Sequence, residues 1–212
     1  IEDFAPIAMA VKVPLGVAVR KSLPVNHIAE LRQYAQAQGR KMNYGSAGSG
    51  ANSQLVNVLM NQTLGIDMTE VPYKGTAPAL VDLVGGHVDL LVDAMATLVP
   101  LHRDGKIKIL ANFDDVRSPV APDVPTFVEI GYPKLVAFTW FAVMAPAKVP
   151  EAVAARLNRA VMTAVMAAPT QRKFNELGFI AQTSSAQDLA NYIVAENNRW
   201  GPLIKKMGIQ LD

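Results

Sequence analysis

The stretch Asn43-Tyr44-Gly45-Ser46-Ala47-Gly48-Ser49-Gly50 collects residue types suited to holding an anion. It opens onto Gln54-Leu55-Val56-Asn57-Val58-Leu59, which reads as a helix. A Gly/Ser/Ala turn feeding a helix start is expected to leave several backbone N–H groups unpaired and pointing outward. The helix dipole adds partial positive charge at the same place. Together these suit a carboxylate or phosphate, and the small side chains let it approach the backbone closely. The alternative is a plain flexible strand-to-helix loop.

Other chemistries fit less well. A phosphate-binding P-loop needs Gly-Lys-Ser/Thr after its glycines, and none follows Gly50. Gly45, Gly48 and Gly50 are wrongly spaced for a dinucleotide fingerprint. A nucleophile elbow needs Gly-x-Ser-x-Gly, but Tyr44 stands where the first glycine before Ser46 belongs. No pattern joins His27, His87 or His102 to Ser46. The three are too dispersed for a metal motif and read as solvated surface positions. Asp93 ends an apolar strand and precedes a helix, so it is expected to cap that helix, to line a ligand cleft, or both. Lys74 reads as a solvated lysine. Tyr73 and Trp140 suit either a core or a cleft, given their apolar surroundings.

Composition narrows the class. The 212 residues are 50% hydrophobic and 18% charged, enough for one large domain or two small lobes. A net charge of +2 and 7% aromatics without basic–aromatic interleaving point away from nucleic acid. The absence of Cys removes disulfides, thiolate catalysis and Cys-based zinc sites. No apolar run reaches membrane-helix length. The strand-like pattern is already under way at Ile1, with neither Met nor signal peptide, so the sequence reads as a processed or truncated piece.

The elements that must position the turn follow from periodicity. Phe4–Val11 and Leu15–Val19 read as strands broken by Pro14. A helix carries Ile28, Leu31 and Ala35 on one face and closes near Gly39. After the turn and its helix to Leu64 come a strand at Met68–Val71, a helix from about Pro78 to Gly85-Gly86, and a strand at Val88–Val92. A helix from Ala94 to Gly105 and a strand at Ile107–Ala111 complete the alternation. This pattern predicts an α/β fold with a mostly parallel sheet, whose ligands bind beyond the carboxyl ends of the strands. There lie the Gly45–Gly50 and Asp93–Thr97 turns. Pro119, Pro122, Pro125 and Pro133 predict an extended loop over 114–134, packed across a surface. Val136–Met144 is the longest strand candidate. Helices then open at Pro150 and Pro169, Phe179–Gln182 is a strand, and a final helix carries Leu189, Ile193, Trp200 and Ile204 on one face.

These residues resemble a known family. Asn43–Gly48, Val71-Pro72-Tyr73-Lys74-Gly75 with Pro78-Ala79-Leu80, and Gly85-Gly86 before Val88-Asp89 look like the Bug proteins, the TctC-like extracytoplasmic solute receptors of the tripartite tricarboxylate transport system. Arg117-Ser118, Pro122-Asp123-Val124-Pro125-Thr126, Trp140-Phe141, Ala145-Pro146, Glu196 and Arg199-Trp200 extend the resemblance over nearly the whole chain. It implies a type II periplasmic binding protein fold with two α/β lobes and a small carboxylate in an interlobe cleft. A membrane permease is the implied partner, the implied location is the periplasm, and no cofactor or enzymatic step is implied. The full-length protein is expected to be monomeric. Family members carry a further N-terminal portion of the first lobe. Residues 1–15 and 138–212 are therefore expected to form the remainder of that lobe, and residues 16–137 the second lobe. The resemblance carries ligand contacts onto Ser46, Ala47, Gly48 and Asp93. It departs at Ala94, where the family's amide donor is lost. Ser49, Gly50, Tyr73, Thr139 and Trp140 are expected to shape the rest of the pocket. The alternatives are a small serine hydrolase using Ser46 and a ligand-sensing domain of a signalling system.

Overall fold

The computed structural model describes residues 2–37, 39 and 41–208. The strand-like start at Ile1 and the last four residues assigned to the first lobe lie outside them. The chain divides into two compact units, one made of the residues up to Val13 with Thr139–Met207, the other of Pro14–Phe138.

Strand β1 runs from Phe4 to Arg20 and belongs to both units. The break predicted at Pro14 does not occur. Val11 and Lys12 pair on one side of the proline, and Leu15 onward pairs with other strands, so the missing N–H falls between ladders. From Ile7 to Val19 nearly every residue of β1 is buried, as in a strand covered on both faces.

In the unit of Pro14–Phe138, the elements are α1 (Ile28–Ala37), β2 (Met42–Ser46), α2 (Asn52–Leu64), β3 (Met68–Pro72), α3 (Thr76–Gly85), β4 (Leu90–Ala94), α4 (Met95–Arg103) and β5 (Ile107–Asn112). The strand order is β3-β2-β4-β1-β5. Strand β2 is parallel to β3 and β4, whereas β1 lies antiparallel between β4 and β5. The sheet is thus mixed. The strand–helix repeats run one way, and the strand that enters before them is inserted the other way. Glycines end the helices as their positions suggest: Gly65 and Gly86 adopt left-handed C-cap conformations after α2 and α3. The core gathers Leu83, Leu91, Met95, Leu98 and Ile107 around Ala18 and Ala79.

The proline-rich segment after β5 packs beside it. Val124 and Phe127 are buried, and the Phe127 ring packs 4.6 Å from that of Phe113. The Asn112 N–H donates to Pro125 O at 2.8 Å and the Phe127 N–H to Asn112 O at 2.9 Å, so the segment extends the sheet locally beside β5. The backbone groups that its prolines leave available find partners there, as burial requires.

In the other unit, the N-terminal part of β1 pairs with β6 (Phe138–Pro146) and β7 (Ile180–Ala181). Strand β6, at 9 residues, is not the longest strand; β1 has 17, and its length is hidden in the sequence when Pro14 is read as a break. Helix α5 (Glu151–Met166) sets Ala154 and Val161 against Ile7, Ala8 and Ala145. The Asn158 amide donates to Ile7 O at 2.7 Å and to Ser184 O at 3.1 Å. After α6 (Ala168–Glu176), Ser185 caps α7 (Ala186–Met207) by accepting the Asp188 N–H at 3.0 Å.

Candidate functional site

Strands β2, β3 and β4 end side by side, with Ser46 in register with Pro72 and Gly45 with both Val71 and Leu91. The glycine-rich turn, Tyr73 and Asp93 therefore converge at the carboxyl ends of parallel strands. Gly45 is dictated by packing: an added Cβ would lie 3.2 Å from the Ala79 Cβ and 3.3 Å from Leu91 Cδ1. Gly48 is dictated by its backbone, at φ 111°, and a Cβ there would meet the Tyr73 carbonyl at 3.2 Å. The Tyr73 N–H donates to Ser46 O at 3.0 Å, which binds the turn to the end of β3.

The turn's amides are not left open as the sequence suggests. Ala47 N–H donates to Ser53 Oγ at 3.1 Å, Gly48 N–H to Ser46 Oγ at 3.3 Å, and Gly50 N–H to Gln54 Oε1 at 2.8 Å. The first turn of α2 folds its own polar side chains back over the loop. Ser49 N–H donates to no described residue. Ser46 is fully buried, and its hydroxyl donates to Glu70 Oε1 at 2.5 Å. The other Glu70 oxygen accepts from Gln54 Nε2 at 2.8 Å.

Asp93 is not the helix cap that its position suggests. Strand β4 continues through Ala94, which takes the N-cap position of α4 without a side-chain cap bond. The pleat of the strand, not the helix, then sets the direction of the Asp93 side chain. Its Oδ2 is buried and accepts no hydrogen bond among the described residues. Burial pushes the Asp93 carboxyl above the ordinary aspartate range, and the Ala94 N–H opposes this. The Tyr73 hydroxyl donates to Asp82 Oδ2 at 2.6 Å; loss of hydration, then this bond, hold the phenol up to about 12.

Lys74, His27 and His87 are exposed. His102 is half-buried rather than solvated, and its Nδ1 accepts the Ile109 N–H at 3.3 Å. Thr139 and Trp140 belong to the other unit, where the Trp140 ring meets Tyr192 edge-on at 5.5 Å. Sequence reasoning missed Glu70, Gln54, Ser53 and Asp82. Gln54 alone left a local signal, a glutamine three residues after the helix cap Ala51.

The glycine-rich turn thus lies at the carboxyl ends of parallel strands, where ligands of open α/β sheets bind. The model of the tripartite tricarboxylate transporter family receptor, TctC, matches residues 1–209, and the chain belongs to that family. Protein BugT of Bordetella pertussis (strain Tohama I) is 29% identical over 211 residues, which is 100% of this chain and 65% of BugT. The structure of R. palustris Rpa4515 with adipate matches with a TM-score of 0.84 at 35% identity, over 98% of this chain and 69% of that one. MatC (Rpa3494) from Rhodopseudomonas palustris with bound malate matches with a TM-score of 0.80 at 33% identity, over 95% and 69%. The fold is the periplasmic binding protein type that the resemblance implies. The chain spans about 65% of the length of BugT.

Proposed function

We propose that this chain is the ligand-binding part of a periplasmic solute receptor that captures a small carboxylate and delivers it to a tripartite tricarboxylate-type permease. The observation that carries this reading is the convergence of the Ser46–Gly50 turn, Tyr73 and Asp93 at the ends of β2, β3 and β4. The N-terminal end of α2 contributes partial positive charge there, and Ser49 offers an N–H. The adipate and malate in two relatives' structures favour a dicarboxylate.

In this reading residues 16–137 form the second lobe of the receptor, and residues 1–15 with 138–212 belong to the first. Ser46, Ala47, Gly48, Ser49 and Gly50 form the anion end of the site, and Tyr73, Asp93, Thr139 and Trp140 complete the contact set. Ligand contacts made only in a closed form shift the balance between open and closed states, which signals occupancy to the permease. No catalytic step is involved.

Calorimetric titration with C4–C6 dicarboxylates and the matching diamides tests the reading. The acids should bind at least about tenfold tighter, or ~1.4 kcal/mol, because the diamides carry no charge. Equal binding of acid and diamide, or turnover of a generic ester, overturns it.

A further inference from the structure

A single carboxylate lies behind the glycine-rich turn and reaches two of its amides through two side chains. Glu70 sits in β3, in register with Tyr44. Its Oε1 accepts from Ser46 Oγ, and Ser46 Oγ in turn accepts from Gly48 N–H at 3.3 Å. Its Oε2 accepts from Gln54 Nε2, and Gln54 Oε1 accepts from Gly50 N–H at 2.8 Å. An ionised carboxylate only accepts hydrogen bonds. It therefore forces the Ser46 proton and the Gln54 NH2 group toward itself, and so turns the Ser46 lone pairs and the Gln54 carbonyl toward the turn. Every donor and acceptor in the two arms is matched, and reversing either arm would set donor against donor.

We propose that Glu70 is the positioning residue of the carboxylate site: through Ser46 and Gln54 it clamps the amides of Gly48 and Gly50, and so aims the intervening Ser49 N–H at the ligand. This rests on the carboxylate-binding reading above for its function, but the clamp itself is a property of the unliganded protein. Gly48 and Gly50 both hold positive φ angles, 111° and 74°, which glycine adopts without confining the chain, so the order of the turn around Ser49 comes from the two hydrogen-bonded arms. A clamp of this kind lowers the ordering cost of binding, since it restricts a glycine-flanked turn before the ligand arrives.

The test combines amide hydrogen exchange, read by NMR, with calorimetric titration of adipate and malate. The parent is compared with Glu70→Gln, Ser46→Ala and Gln54→Leu, using the Phe113 amide as an internal reference for global opening; it donates to Leu15 O at 2.9 Å. Glutamine at 70 supplies one acceptor oxygen and one NH2 group, so it cannot accept from both arms. In Glu70→Gln, exchange at Gly48, Gly50 or both should rise about tenfold or more relative to Phe113. Ser46→Ala should release Gly48 and spare Gly50, while Gln54→Leu should do the reverse. All three should weaken dicarboxylate binding. Protection at Gly48 and Gly50 that follows Phe113 in every variant overturns the clamp. Released amides with unchanged affinity overturn its positioning role. A parent that binds no carboxylate, yet shows the arm-specific exchange pattern, overturns the carboxylate reading and leaves the clamp standing.

Discussion

The Arg20 side chain donates from Nε to Asp89 Oδ1 at 2.9 Å, and the Asp89 side chain is only 2% exposed. The other Asp89 oxygen accepts the Asn43 N–H at 3.0 Å, and the Asp89 N–H donates to Asn43 Oδ1 at 2.7 Å. Three strands are thereby fastened at the end of the sheet opposite the glycine-rich turn: β1 by its last residue, β2 by its second, and β4 by the residue before it. Removing one partner of such a pair leaves a desolvated charge behind. Asp89→Ala should destabilise the fold by about 3–5 kcal/mol, read by urea unfolding. Asp89→Asn, which keeps an acceptor for Arg20 or Asn43, should cost less. A negligible loss in Asp89→Asn would show that the ion pair contributes nothing beyond its shape.

Asp93 should respond in the opposite sense. Burial raises its carboxyl above the unfolded value, so the folded protein holds a proton that the unfolded chain has already released. Stability therefore falls as pH rises from the ordinary aspartate value of about 3.9 to the raised folded value, and the penalty is complete above it. Asp93→Asn removes the charge at nearly constant shape. The variant should be more stable than the parent at pH 7, with the difference closing as pH falls below about 4. Chemical denaturation at several pH values reads this out, and a constant difference across the range would contradict it.

Two glycines make a contrasting pair. Gly48 has φ 111° and a carbonyl 3.2 Å from where a Cβ would stand, so Gly48→Ala should cost about 1–3 kcal/mol, and Gly48→Val more. Gly201 lies inside α7 and, beyond its chain neighbours and the helix's own backbone, has nothing within 4 Å of an added Cβ. Gly201→Ala should cost less than Gly48→Ala, since the gain of about 0.5–1 kcal/mol from alanine's smaller loss of backbone freedom is offset by the contact of its Cβ with the Pro202 ring. Thermal melts should show the larger drop for Gly48→Ala, and an equal or larger drop for Gly201→Ala would contradict this.

Tyr73→Phe removes the 2.6 Å bond from the hydroxyl to Asp82, which ties the residue after β3 to α3. The expected loss is about 1 kcal/mol. Because the Tyr73 phenol is held up to about 12, the unfolded chain deprotonates first and this tyrosine lowers stability above about pH 10. Ultraviolet titration of the folded variant should lack one late-ionising phenol. A spectrum that instead lost an ordinary tyrosine near pH 10 would mean that Tyr73 is solvated.

The sequence by itself determined what is local. Glycines at 65 and 86 end helices because only glycine rests easily in the left-handed conformation there, and the strand–helix alternation from β2 to β5 follows from hydrophobic spacing. The glycine-rich turn was legible for the same reason, since small residues before an apolar helix read directly from the chain. The tertiary structure decided what depends on partners distant in sequence. Pro14 does not break β1, because the ladders on its two sides belong to different strands. Asp93 is no helix cap, because β4 runs one residue further and the pleat directs the side chain. Three of the turn's amides are held by Ser46, Ser53 and Gln54, all close in sequence, but the carboxylate that orients Ser46 and Gln54 belongs to Glu70, which lies 24 residues beyond Ser46 and comes beside it only when β2 and β3 pair. The orienting carboxylate is not visible in the sequence until the sheet places it, and that placement is set by strand register, which local composition does not encode.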